Sequence, residues 1–238
     1  MPNSDLPFLL DQRDELSRWR ADTFWSKEPE TIKWISDCVL GKGLSTFIDV
    51  GANIGVYSLY AASLSRSLET YAVEPDRKNR ELLVQNIALN GFQERIHVIE
   101  FPLSSGQYSG SFYSSDMRPG SSGGQFQKSV SSESGVLSLS GDSLVTSYGI
   151  ESAFVKIDVD GTELDIASGF STSLEEGKIK TLLLEITEET ENGIQLLLEK
   201  FNYLEVPSEI DALVHSDHRR KLKGSSERNK IFSKNSIV

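Results

Sequence analysis

The sequence predicts an α/β fold in which a mostly parallel, doubly wound sheet carries helices on both faces. Three observations carry this. Short apolar runs alternate with helical patterns from about residue 46 to residue 200. The central runs are rich in Val, Ile, Leu and Phe, as strands covered on both faces should be. A glycine-spaced turn, Gly51-Ala52-Asn53-Ile54-Gly55, follows the first run and leads straight into a helical pattern. With 238 residues, 38% of them hydrophobic, the chain can bury one large core.

Taken in order, residues 8–20 read as a helix with Leu9, Leu10, Leu16 and Trp19 as its apolar set. A second helix opens at Pro29, a tolerated first-turn position, buries Ile32, Ile35 and Val39, and ends at Gly41. Residues 1–42 thus read as a helical lead-in to a domain over 43–238. "STFIDV" is the first strand, and Gly55 to about Ser65 the helix after it. "LETYAVE" is the second strand, and Asp76 to Asn90 a helix closed by Asn90-Gly91. "RIHVIEF", "SAFVKIDV" and "IKTLLLEI" are further strands. "FNYLEV" and "RNKIFSK" can close the sheet as an antiparallel pair. Residues 104–135 break the rhythm. Serine and glycine fill 18 of those 32 positions. Such a segment cannot supply core, and it reads as a long loop or ribbon over the sheet. Tyr108, Phe112, Tyr113 and Phe126 punctuate it, which suggests a cover over the ligand end of the sheet.

The formal net charge of -11 disfavours nucleic-acid backbones and anionic membranes as partners. Cys38 is the sole cysteine, so no intramolecular disulfide forms, and a reducing cytoplasm is expected. The first residues show no basic leader with an apolar run, and no stretch reaches a membrane span.

The chemistry starts at the turn. In open parallel sheets, ligands bind at the carboxyl ends of the strands, near the switch point. The dinucleotide pattern would need glycine at 53 and glycine or alanine at 56, but the chain has Asn53 and Val56. Asp49 precedes the turn and no lysine lies in it. That suits a cationic ligand such as the sulfonium S-adenosylmethionine better than a pyrophosphate. Glu74-Pro75 ends the second strand, where a carboxylate can accept both hydroxyls of a ribose. In "VKIDVDGTEL", Lys156, Asp158 and Asp160 interrupt a strand that should be apolar. Charges there need partners or a task. Lys156 and Asp158 also read as a structural ion pair, Asp160 as a solvated turn, and Glu163 as a favourable charge in a first helical turn.

"FIDVGANIGVYSLYAA", "YAVEPDRKNRELLVQNIALNG", "FVKIDVDGTELDIASGF", "LLLEI" and "RNKIF" resemble the FkbM family of S-adenosylmethionine-dependent methyltransferases over roughly residues 22 to 235. The resemblance implies a Rossmann-like class I methyltransferase fold with a seven-stranded sheet, and O-methylation of a sugar, glycan or secondary metabolite. It places the cofactor at Asp49, Gly51, Ala52, Asn53, Gly55, Glu74 and Pro75. It sets Asp158 and Glu163 at the methyl-transfer end. Three positions depart from the family pattern: Asp160, "PLSS" at 102–105 and "LLLEIT".

Asp158 is the first choice for a general base, with Glu163 and Asp160 as alternatives and Lys156 to orient it. Glu185 can fix an acceptor hydroxyl. Arg219 and Arg220, beside His215 and His218, form a basic loop that can receive an anionic acceptor. His97 reads as structural. Magnesium on Asp158, Asp160 and Glu185 is conceivable but not favoured. A nicotinamide-dependent oxidoreductase and a non-catalytic cofactor-binding protein are the competing readings.

Overall fold

The computed structural model describes residues 6–114, 118, 120–129, 135–207 and 228–235. The strands of its main sheet are β1 (Thr46–Val50), β2 (Glu69–Val73), β3 (Ile96–Ile99), β9 (Ala153–Ile157), β10 (Ile179–Ile186), β11 (Tyr203–Val206) and β12 (Arg228–Lys234). Their order is β11-β12-β10-β9-β1-β2-β3, and β12 alone runs against its neighbours. The chain leaves β1 toward β2 on one side and is met by β9 on the other. That neighbouring pair is the switch point.

Strand periodicity sorts side chains to two faces. Ile48, Val50, Val155 and Ile157 point into one core, packed by α5 (Gly141–Ser147), α6 (Glu163–Ser168), α7 (Ser171–Glu175) and α8 (Glu188–Lys200). Phe47, Phe154 and Leu183 point into the other. There they meet α1 (Glu15–Lys27), α2 (Pro29–Ser36), α3 (Val56–Leu64) and α4 (Arg77–Leu89). The lead-in helices therefore share a core with the sheet. Trp34 packs edge-on to Phe154 and its indole N–H donates to Thr181 at 3.2 Å.

The expected helix over 8–20 is displaced. The helix starts at Glu15 because Asp14 caps it, accepting the Ser17 N–H at 2.8 Å. The preceding stretch instead runs against α4, where the Leu9 and Asp11 amides donate to Asn90 and Asn86. Leu9, assigned to an apolar face, is exposed. The second helix does open at Pro29, and a π-helical turn, Asp37–Gly41, continues it.

The serine- and glycine-rich region is a ribbon. Strands β5 (Ser109–Ser114), β6 (Gly124–Lys128) and β7 (Val136–Leu137) pair antiparallel in the order β6-β5-β7. A short parallel pair, β4 (Leu103–Ser104) with β8 (Leu139–Ser140), ties its base to the domain.

Candidate active site

Glycine decides where β1 ends. Gly51 has φ +83, and a Cβ there would lie 2.0 Å from the Asp158 carbonyl oxygen. Only glycine lets the first turn lie against the end of β9. Asn53 also adopts a left-handed φ, of 52, and its N–H donates to Glu74 Oε2 at 2.8 Å. Glu74 Oε1 accepts the Asp76 N–H at 2.8 Å. Burial pushes the Glu74 carboxyl up to about 7 despite these two bonds. Each oxygen keeps acceptor capacity for a ligand hydroxyl.

A cavity of about 890 Å³ opens over this floor. Gly51, Asn53, Glu74 and Pro75 line it, and so do Asp158, Asp160 and Glu185. Phe112 and Phe126, direct cross-strand partners on the ribbon, face it from above. Trp19, Arg20, Thr23 and Lys27, at helical spacing on α1, form a side wall.

Lys156 is a buried cation, 1% exposed. Its ammonium lies 2.6 Å from Asp158 Oδ2 and 5.0 Å from the centre of the Tyr57 ring. Burial opposes its charge, but Asp158, Asp49 and Glu28 together keep it firmly protonated. Burial likewise opposes the Asp158 charge, and Lys156, with help from Lys27, overrides it and holds that carboxyl down at about 2. Asp158, Lys156 and Glu185 share one face because they occupy alternate positions on adjoining strands, in step with Phe154 and Leu183.

Asp49, Ala52, Gly55 and Glu163, also expected to touch a ligand, do not line the cavity. Asp49 is fully buried. Its Oδ2 accepts the Ser58 hydroxyl at 2.6 Å, and Oδ1 has no partner among the described residues. Burial pushes its carboxyl up, and Lys156 opposes that. Ala52 is buried, and its N–H donates to the Val73 carbonyl at 3.0 Å. Gly55 has φ +92, and a Cβ there would strike Leu83 at 2.5 Å, so it sets the approach of α3 to α4. Glu163 Oε1 accepts the Val159 and Gly161 N–H groups, stapling the loop after β9, and burial pushes its carboxyl up. Asp160, with φ 57, latches the ribbon. Its Oδ2 accepts the Gly123 N–H at 2.7 Å and its carbonyl accepts from Gln125. His97 pairs with Glu69 and stacks on Tyr71 away from the cavity. Arg219, Arg220, His215 and His218 lie outside the described residues. No group of three His, Cys, Asp or Glu side chains suited to a metal occurs among the described residues.

Three contributors were not legible beforehand. Glu28 is 6% exposed, pairs with Lys27 and accepts the Tyr57 hydroxyl at 2.8 Å. Burial would raise its carboxyl, yet the net shift is downward because lysines 27 and 156 flank it. Asn79 accepts the Gly120 N–H at 2.8 Å and donates to the Ser121 carbonyl, which Asn53 also holds at 2.6 Å. Arg20 holds the Gly120 carbonyl through Nε and Nη2 at 2.9 and 2.7 Å. The only available signal was the Glu28-Pro29 step, an acidic residue at a helix junction.

Residues 49–220 match the Methyltransferase FkbM domain. A 62-residue segment is 37% identical to the O-methyltransferase imqG of Aspergillus flavus, covering 26% of this chain and 25% of that protein. The chain thus spans about a quarter of the length of the curated relative it matches. A solved METTL16 MTase domain superposes with a TM-score of 0.54 at 14% identity, over 95% of this chain and 86% of that one. At that identity the likeness concerns the fold, a class I methyltransferase fold, and not the acceptor.

Proposed function

The chain belongs to the FkbM methyltransferase family, a group of S-adenosylmethionine-dependent enzymes, and we propose on that premise that it methylates a hydroxyl of a sugar, glycan or secondary metabolite. One observation carries the proposal: a buried lysine presents an ionised carboxylate, Asp158, at the switch-point end of the cavity. The residues fit the cofactor. Gly51 and Asn53 of the left-handed turn border the cavity, Glu74 offers acceptors to a ribose, and the cavity volume falls in the usual range for small-molecule sites.

Bound S-adenosylmethionine supplies an electrophilic methyl group on a positive sulfur. The chain must hold an oxygen nucleophile about 3–3.5 Å from it and in line. Asp158 accepts the hydrogen bond of the acceptor hydroxyl and so fixes its lone pair. A carboxyl held near 2 is a weak base toward a resting alcohol. It can take the proton late, because a hydroxyl oxygen gaining a third bond becomes a strong acid. Lys156 orients Asp158, and Glu185 holds a neighbouring hydroxyl. Asp160 and Glu163 position the loop, with Asp160 the alternative base at the wall. The ribbon is an acceptor-side cover, with Phe112 and Phe126 stacking on a ring face. Arg219 and Arg220 receive an anionic acceptor group. Replacing both should raise the acceptor KM without weakening cofactor binding. The acidic charge and lone cysteine support a small-molecule or glycan acceptor in a reducing compartment. No metal is needed, and insensitivity of turnover to EDTA tests this.

Calorimetric titration with S-adenosylmethionine and with NAD, on wild type and Glu74→Ala, tests the cofactor assignment. The expected result is binding of the sulfonium alone, weakened by the substitution. Binding of NAD instead would overturn the proposal.

A further inference from the structure

The charged side chains of the cavity wall are mostly acidic: Glu28, Glu74, Asp76, Asp158, Asp160 and Glu185 all border it. That suits the sulfonium and the ammonium of the cofactor assigned under Proposed function, on which this inference rests. It does not suit the cofactor's carboxylate, which such a wall repels unless a cation meets it. The described cations on the wall are Arg20, Lys27 and Arg228. Lys27 is paired with Glu28, and Arg228 with Glu191. Arg20 is different. It is half-buried, and no carboxylate among the described residues forms an ion pair with it. Its Nε and Nη2 converge on one neutral carbonyl, that of Gly120. A guanidinium carries two N–H edges, and a carboxylate is the partner its fork matches.

The position of Arg20 is also fixed. Gly120 and Ser121 are bonded in turn to Asn79 and Asn53, and Asn53 to Glu74. This ties the segment that the guanidinium holds to Asn53 of the glycine turn. Burial opposes its charge, and Asp158, Glu28 and Glu74 support it.

We propose that Arg20 is the anion-binding residue of the cavity and that its guanidinium takes the carboxylate at the amino-acid end of the cofactor. Arg20 lies outside the segment matched to the FkbM domain, on the lead-in helix α1. The lead-in therefore completes the cofactor site rather than decorating it. An acceptor carboxylate or phosphate offers the same chemistry, and the test separates the two sources.

The test is calorimetric titration of wild type, Arg20→Gln and Arg20→Lys with two probes. S-adenosylhomocysteine has the carboxylate, and 5′-methylthioadenosine keeps the adenosine and thioether but lacks the amino-acid end. The expected result is a loss of roughly 10- to 100-fold for S-adenosylhomocysteine in Arg20→Gln, the scale of a bidentate charge-assisted contact. Methylthioadenosine affinity should stay unchanged, and Arg20→Lys should recover part of the loss. Equal weakening of both probes would overturn the proposal, because Arg20 would then only hold the Gly120 carbonyl. No change with either probe would also overturn it and leave the acceptor as the source of any anion. Wild type binding neither probe would sink the cofactor assignment itself, which is a distinct result.

Discussion

Lys156→Met is the perturbation that most directly tests the charge arrangement under the cavity. The ammonium sits 2.6 Å from Asp158, with Asp49 and Glu28 also acting on it. Asp158 lies at about 2 against an ordinary value of 3.8. At roughly 1.4 kcal/mol per unit, that carboxylate alone contributes about 2 kcal/mol of stability near neutrality. Because its value is depressed on folding, the contribution is full above 3.8 and disappears as pH falls through about 2. Methionine removes the cation and leaves buried carboxylates unpaired, at a cost of about 3–5 kcal/mol. The sign of the pH dependence then reverses. Burial pushes Asp49 and Asp158 up in the variant, so their charged forms destabilise it, and mild acid relieves the strain. Urea unfolding of both proteins from about pH 8 to about pH 5.5 reads this. The gap in unfolding free energy should be largest at the upper end and shrink toward the lower. A gap under about 1 kcal/mol, or one that ignores pH, would refute the argument that Lys156 neutralises this cluster.

Other outcomes follow from single contacts. Affinity for S-adenosylhomocysteine should rise as pH climbs through about 7, where Glu74 ionises and becomes acceptor-only; Glu74→Gln should bind more weakly and lose that pH dependence, as calorimetry at several pH values would show. Gly51→Ala must adopt a left-handed φ and drive a methyl into the Asp158 carbonyl, so thermal unfolding should reveal a loss of more than about 2 kcal/mol together with lost cofactor binding. Asp160→Ala removes the Gly123 latch, and hydrogen exchange of Gly123 to Lys128 should quicken while S-adenosylhomocysteine affinity holds; unchanged exchange would dismiss the latch.

The strand positions were legible because buried parallel strands announce themselves through apolar runs bounded by turns, and the Gly51 turn through its departure from the dinucleotide pattern. The odd charges of "VKIDVDG" were legible as needing partners, and Lys156 and Asp158 do pair. What the sequence hid was long-range. Glu28, Tyr57 and Lys156 are far apart in the chain, and no local pattern says that α1 and α2 fold back over the crevice. Asp49 and Glu163 matched motif positions yet do not line the cavity: Asp49 binds the Ser58 hydroxyl, and Glu163 binds the Val159 and Gly161 amides. The displaced first helix shows the weakness of an apolar tally beside a cap: Asp14 sets the start, and Leu9 falls before it.

The reversed strand has a consequence for how the protein is made. β12 slots between β10 and β11, and its Asn229 reaches Glu30 at 3.1 Å. A ribosome releases about 5–20 residues each second, so the chain from β1 to β11 emerges well before its last strand. During that interval the outer edge of β10 has no partner for its backbone groups, and the wall near α2 is unfinished. Assembly of the cleft is thus a late, non-local event, joining the lead-in to a strand nearly two hundred residues away. The nascent chain therefore carries an open sheet edge before it carries a finished site, and a chaperone that shields that edge would act at the step where this fold is most exposed to aggregation.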